Sequence, residues 1–507
     1  MIKKPSFPPA AGILTALLLL VIPVNTRSQD TGLGQFENHT DIGPVKHPGT
    51  LNYNPETGEY QVSGSGTNMW STSDEFHYAW KSIQGDFILR AQVNFEGEGV
   101  DPHRKVGWMV RESLHPDAAH VNATVHGDGL TSLQFRRSAG AETEEVPSEV
   151  KAPTVIQLER RGNTFTLSAA RLGEPFASVS TELELDSEVF AGIYVCSHNP
   201  EVTERAVYRN VRIIKPEEPG DVPYRDYLGS RLEVLDLETG LRKVLLVSAH
   251  SIQAPNWTPD GKTLIYNSNG YLYTYDLASG KVGMLNTGFA TRNNNDHVLL
   301  PDGSRIAISH HNDADGGASS IYHLPIEGSD QPVKVTRDGV GASYLHGWSA
   351  DARTMLFTGN RNGKYDLFAV DVATGQETQL TDTATLDDGS EYSPDNQWIY
   401  FNSDRTGTMQ VWRMKPDGSD PEQLTSDRFN DWFPHVSPDQ SKVVMISYPE
   451  EVPSNQHPFY KHCMLRIMPF DGGEPKAVAY VYGGQGTINV PSWSPDNRYI
   501  AFVSNSD

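Results

Sequence analysis

Pro255-Asn-Trp257-Thr-Pro259-Asp260-Gly261 is the first of six related stretches that decide the fold of the C-terminal half of this 507-residue chain. The others are His297-Val-Leu-Leu-Pro301-Asp302-Gly303, His346-Gly-Trp348-Ser-Ala350-Asp351, Ser390-Glu-Tyr392-Ser-Pro394-Asp395, Pro434-His435-Val-Ser-Pro438-Asp439 and Pro491-Ser-Trp493-Ser-Pro495-Asp496. Their aspartates are 42, 49, 44, 44 and 57 residues apart. Such a period suits the four-stranded blade of a β-propeller. In five of the six units a proline presets φ at the turn, Ala350 taking its place in the third, and the aspartate can bond a backbone amide. Alternating strands follow, such as Lys262-Thr-Leu-Ile-Tyr266 and Trp398-Ile-Tyr-Phe401.

The ends of the repeat define its closure. The sixth unit stops after a second strand, Tyr499-Ile-Ala-Phe-Val503, while Arg231 to Gly240 and Arg242 to Leu246 read as a third and fourth strand with no preceding pair. Six blades closed by strands from both ends leave no free sheet edge. The repeat resembles the TolB-like (PD40, WD40-like) propeller family over about 275 residues, 231–507. That family contains partner-binding proteins, propeller domains of peptidases, and lyases of oligogalacturonate. The resemblance therefore implies a fold rather than an activity. No Gly-x-Ser-x-Gly elbow is present, which disfavours the peptidase branch.

Upstream of the repeat, residues 35–215 read as irregular strands of alternating polarity, with Phe87, Leu89, Ala91, Val93 and Phe95 the clearest run, so an all-β sandwich is expected there. The run from Gly64 through Trp70, Phe76-His-Tyr78 and Gly85-Asp-Phe87 to Val106-Gly-Trp-Met-Val-Arg111 resembles lectin-like, concanavalin-type jelly-roll domains of bacterial glycan-processing proteins. That implies a carbohydrate context. Trp70, Trp80 and Trp108 could stack on a sugar ring, although aromatic residues at strand positions more often fill a core. Residues 216–230, opening with Pro216-Glu-Glu-Pro-Gly-Asp-Val-Pro223, read as a linker.

Residues 1–28 read as a signal peptide: Lys3 and Lys4 precede an apolar stretch from Ala10 to Val24, and Thr26 and Ser28 offer small residues before Gln29. A periplasmic or secreted protein with no later membrane span is expected. The formal charge of −23 excludes a nucleic-acid partner, since no concentrated basic surface is present. With Cys196 and Cys463 the only cysteines, no disulfide framework is expected.

Propeller topology also maps the chemistry, because the start of each innermost strand and the end of each second strand emerge on the same face, at a central funnel. Loops entering the first strands carry His250, Asp296, His297, His346, Asp387, Asp388, His435 and Asn489. Loops leaving the second strands carry His310, His311, Arg361, Arg405 and an insertion from Pro449 to about Lys461 that includes His457. Two readings follow. In the first, the funnel holds a glycan or a protein ligand through His250, Asp296, His310, Asp388, His457 and Asn489, and no chemistry occurs. In the second, His297, His346 and His435 hold a divalent metal such as manganese, calcium or zinc, Arg361 and Arg405 neutralise a uronate, and a catalytic set of His346, His435, Arg361 and Arg405 performs β-elimination or hydrolysis of an acidic saccharide.

Overall fold

The computed structural model of the protein describes residues 32–222 and 225–506; the leader read at residues 1–28 lies outside them. Every strand pairing among these residues that belongs to a multistranded sheet is antiparallel, and one short 3-10 turn, Asp313–Asp315, is the lone helical element described. No helix among them is long and apolar enough to cross a membrane.

The N-terminal part builds two seven-stranded sheets. One runs, edge to edge, through Asn38–Ile42, Phe76–Gln84, Glu188–Cys196, Lys105–Arg111, His120–His126, Thr131–Arg136 and Glu144–Pro147. The other runs through Ala177–Glu182, Thr164–Ala170, Val155–Arg161, Phe87–Glu96, Glu204–Ile214, Glu59–Gly64 and Thr50–Asn54. Strand alternation sends Leu89, Val93, Phe165 and Tyr208 of one sheet and Trp108, Val121, Leu133 and Ile193 of the other into a single apolar cluster. Of the three candidate stacking tryptophans, Trp108 is fully buried in that cluster, Trp80 packs edge-on against Phe190, and Trp70 is 36% exposed.

The C-terminal part is six sheets in sequence, as the repeat predicts. Five have four strands in chain order, beginning with Gln253–Trp257, Asn293–Leu299, Ser343–Trp348, Asp387–Tyr392 and Asn430–Val436. The sixth blade joins Tyr499–Asn505 to Ser230–Asp236, which in turn pairs with Arg242–Ser248. Its innermost segment touches the blade through the Trp493 to Ile500 bridge. Cys196 and Cys463 are both free and buried.

The two parts meet across a polar, buried seam. Arg212 of the N-terminal sheet and Arg242 of the sixth blade both donate to Glu233, at 2.5 Å and 2.8 Å. Burial pushes the Glu233 carboxyl up, and the two guanidiniums overcome it, holding it far below the usual carboxylate range. The Tyr480 carbonyl accepts from Arg90 at 2.6 Å and from Arg242 at 2.9 Å. The segment 216–230 is tied down at its ends: Lys215 N donates to Ser506 Oγ, and Leu228, 3% exposed, donates its amide to Tyr460 Oη.

Candidate functional site at the propeller funnel

Each of the first five innermost strands contains a break in register with its neighbour: between Gln253 and Asn256, Asn293 and His297, Leu345 and Gly347, Asp388 and Glu391, and Trp432 and His435. An extra residue at such a point bends the strand and re-aims its side chains. Three of the breaks hold left-handed backbone, at Ala254 (φ 54°), Gly389 (φ 64°) and Phe433 (φ 52°). At Gly389 a Cβ would also lie 2.4 Å from Asn402 Oδ1, so the position requires glycine. The same amide oxygen accepts from Phe433 N at 3.0 Å, fixing the fifth-blade bulge to the fourth blade.

Residues at and beside these breaks line one cavity of about 790 Å3: Gln253, Asn293, Asn294, Asn295, Asp296, His346, Asp388 and Phe433. The loop before the sixth inner segment adds Gln485 and Asn489, the ends of second strands add Asn267, Asn269 and Thr358, and the insertion at 449–460 adds Asn455, His457 and Phe459. Tyr344 and Tyr365 complete an aromatic wall. Of the residues expected to bind a ligand, Asp296, Asp388, His457 and Asn489 are thus brought together, with His346 from the catalytic and metal sets.

His346 and Asp388 form the centre. His346 Nε2 lies 2.9 Å from Asp388 Oδ1, which also accepts from Thr358 Oγ1 at 2.6 Å. Burial works against both charges. The pair overcomes it, raising the imidazole above its ordinary value and drawing the Asp388 carboxyl down to about 2. Asp296 goes the other way: burial, with the Asp388 charge adding to it and His346 resisting, pushes its carboxyl up to about 6. His457 stands with Nδ1 2.5 Å from Gln485 Oε1 and edge-on to Trp432 and Phe433, and burial depresses its pKa. Asn489 donates to Gln485 Oε1 at 3.0 Å and accepts from Gly486 N at 2.6 Å.

His311 joins the lining, while the other members of the binding, catalytic and metal sets lie outside it, each for a visible reason. His435 is buried with one ring nitrogen 2.5 Å from Glu391 Oε2 and the other 2.5 Å from the Ile488 carbonyl, so it struts three blades together. His297 is fully buried, one residue past Asp296, with Nε2 3.4 Å from the Ile265 carbonyl. Arg361 grips Glu377 through two hydrogen bonds of 3.0 and 2.8 Å, donates to two backbone carbonyls and lies over Phe357 and Phe368. Arg405 holds Asp387 at 2.9 Å and covers Trp412. His310 accepts from the Arg292 amide beside Phe289 and Tyr322, and His250 is exposed. The expected metal set is therefore not assembled: His435 and His297 are turned to carbonyls and Glu391, and among the described residues no group of three or more His, Cys, Asp or Glu side chains is placed to hold a metal ion. The lining includes neither lysine nor arginine among the described residues.

Sequence reasoning missed the amides at 267, 269 and 293–295, together with Gln253, Gln485, Tyr344 and Phe433. The Asn293-Asn-Asn295 run was the available cue, an unusual polar triplet at the start of an innermost strand.

Comparison with known proteins agrees with this architecture. The PD40 model, described as the TolB β-propeller domain, matches residues 340–457. An uncharacterised protein of Agrobacterium fabrum is 42% identical over 275 residues, 54% of this chain and 92% of that protein. The Tol-Pal system protein TolB of Francisella tularensis subsp. tularensis is 25% identical over 263 residues, 50% of this chain and 57% of that one. A solved structure from Agrobacterium tumefaciens, provisionally called TolB, is 41% identical with a TM-score of 0.53 and covers 56% of this chain and 100% of its own. With most of a 42%-identical relative spanned by the six-bladed part, the chain belongs, through its C-terminal half, to the TolB-like β-propeller family.

Proposed function

We propose that the protein is an exported carbohydrate-binding propeller, with the funnel as the binding site and the N-terminal pair of sheets as a concanavalin-like companion domain. The observation that carries this reading is the lining: nine side-chain amides, from seven asparagines and two glutamines, face a cavity that also presents Tyr344, Tyr365, Phe433 and Phe459. An amide offers two donors and an acceptor in one plane, matching vicinal hydroxyls, while aromatic faces cover the apolar side of a sugar ring. The volume is within the range of small-molecule sites and would admit a short oligosaccharide. The periplasmic or secreted setting rests on the leader at 1–28 and on the family. A peptide ligand is the competing occupant, favoured less because so many lining groups are side-chain amides set in a concave funnel.

Titration of neutral oligosaccharides against the protein tests this reading. Gln485→Ala with Asn489→Ala is expected to weaken saccharide binding by about tenfold or more. Equal affinity in the double variant would remove the funnel from the binding site.

A hydrolytic role is favoured by one observation, the separation of Asp296 and Asp388 to opposite ends of the carboxyl range in a single cavity. Such a split lets one group donate a proton while the other stays ionised. Release of reducing ends from a saccharide that binds, lost in Asp296→Asn, would establish it; binding without turnover leaves the protein a binder. The metal-assisted lyase reading has no converging ligand set to support it.

A further inference from the structure

We infer that the saccharide taken by the funnel carries a free, protonated amine, seated against Asp296. This rests on the carbohydrate reading of the same cavity and names the class of sugar. The charge arrangement is the first argument. Two carboxylates, Asp296 and Asp388, enter the lining; His346 is the imidazole in contact with Asp388, while His457 acts on Asp388 through space and His311 lines the same cavity. Asp388 is occupied by that imidazole and by Thr358. Asp296, 5% exposed, is hydrogen-bonded by the neutral Asn294 side chain, senses His346 only through space and receives no hydrogen bond from a lysine or arginine among the described residues. A buried carboxylate left in this condition favours any ligand that brings a positive charge to it.

The surroundings of Asp296 suit an ammonium group and disfavour an anion. Tyr344 and Phe433 line the same cavity as Asp296, so aromatic surface is present beside a cation held there. Asn293, Asn294 and Asn295 line the cavity next to Asp296, placing amide side chains among the groups that would surround such an amine. The arginines that would have welcomed a uronate are closed off, Arg361 on Glu377 and Arg405 on Asp387. A divalent cation is poorly served, because one of the two carboxylates is already shared with an imidazole and a hydroxyl.

Calorimetric titration of the whole protein near neutral pH, with glucosamine, N-acetylglucosamine and galacturonate tetramers, decides the matter. The glucosamine tetramer is expected to bind about tenfold more tightly than its N-acetylated counterpart, with the galacturonate tetramer weakest. In Asp296→Asn the first two should fall within about twofold of each other. Galacturonate binding as tightly as glucosamine in the wild type, or a glucosamine preference that survives in Asp296→Asn, overturns the amine assignment while leaving the carbohydrate reading intact. If none of the three binds, both readings fall together, and tighter binding of a lysine-bearing tetrapeptide titrated in parallel overturns the sugar in favour of a basic peptide.

Discussion

The two rims of the propeller treat their polar groups in opposite ways. At the Pro-Asp turns the blades repeat one solution: Asp260, Asp351, Asp395, Asp439 and Asp496 each accept a hydrogen bond from the Ser or Thr two residues before and from the amide two residues after. Even the second blade, with Leu300 in place of that hydroxyl, recovers the bond through Ser304. At the funnel the blades do not share one residue, and only the second and fourth agree, each with an aspartate. Gln253, Asp296, His346, Asp388, Phe433 and Asn489 occupy comparable places and all line the one cavity. Repetition marks polar groups spent on the fold, and variation marks groups left for a ligand.

Arg361→Ala is the strongest attempt to break this contrast, because Arg361 sits near the funnel in sequence yet is consumed by Glu377 and two carbonyls. It should lower unfolding free energy in urea by about 2–4 kcal/mol through the stranded carboxylate while leaving saccharide affinity within about twofold. Lost affinity with intact stability would return the arginine to the site.

Asp296→Asn should act with the opposite sign. Its folded pKa of about 6 exceeds the ordinary 3.8, so burial of the ionised carboxylate costs stability fully above pH 6, and the cost fades as pH falls from 6 to 3.8. The variant is expected to be more stable than the wild type by about 1–3 kcal/mol near pH 7.5, with the gain vanishing by about pH 4. An unchanged melting curve at both pH values would show that the carboxylate already has a partner.

The same titration predicts a binding profile. Affinity for an amino sugar should fall by up to about tenfold per pH unit below 6 as Asp296 takes up its proton, while Asp388 stays ionised beside His346, with Tyr344 and His457 the other titratable neighbours. Neutral sugars should show no such slope. The smallest effect belongs to the repeating rim: Asp395→Ala should cost about 1 kcal/mol of stability, read by urea unfolding, and nothing in binding.

The period of the aspartates made the six blades and their closure readable before any coordinates, because that rim is built from local hydrogen bonds with fixed offsets. The same topology directed Asp296, His346, Asp388 and Asn489 to the funnel, and the four line one cavity. It failed at His297 and His435 for one reason. Side chains on a strand alternate, and extra residues re-aim them: in the second blade Asn293 to His297 runs four steps against two on its partner, with Asp296 in the lining and its neighbour buried. In the fifth blade Phe433, in left-handed backbone that nothing in its side chain invites, takes the place expected of His435. Arg361 and Arg405 misled differently: a guanidinium on a long stem finds its partner through space, and Glu377 and Asp387 lie 16 and 18 residues away.

The pairing of Tyr499–Asn505 with Ser230–Asp236 has a consequence in time. The first-made of these two strands waits, with its edge unsatisfied, until some 260 further residues have left the ribosome, and only then can Ser504 reach Glu233. Until that moment the Glu233 carboxylate, the hinge of the seam to the N-terminal sheets, lacks one of its donors, and an open ring presents a strand edge to any passing chain. A nascent chain of this kind therefore has a long window of vulnerability to aggregation that closes when Tyr499–Asn505 docks, and a holdase that shields the Ser230–Asp236 edge would be most valuable within it.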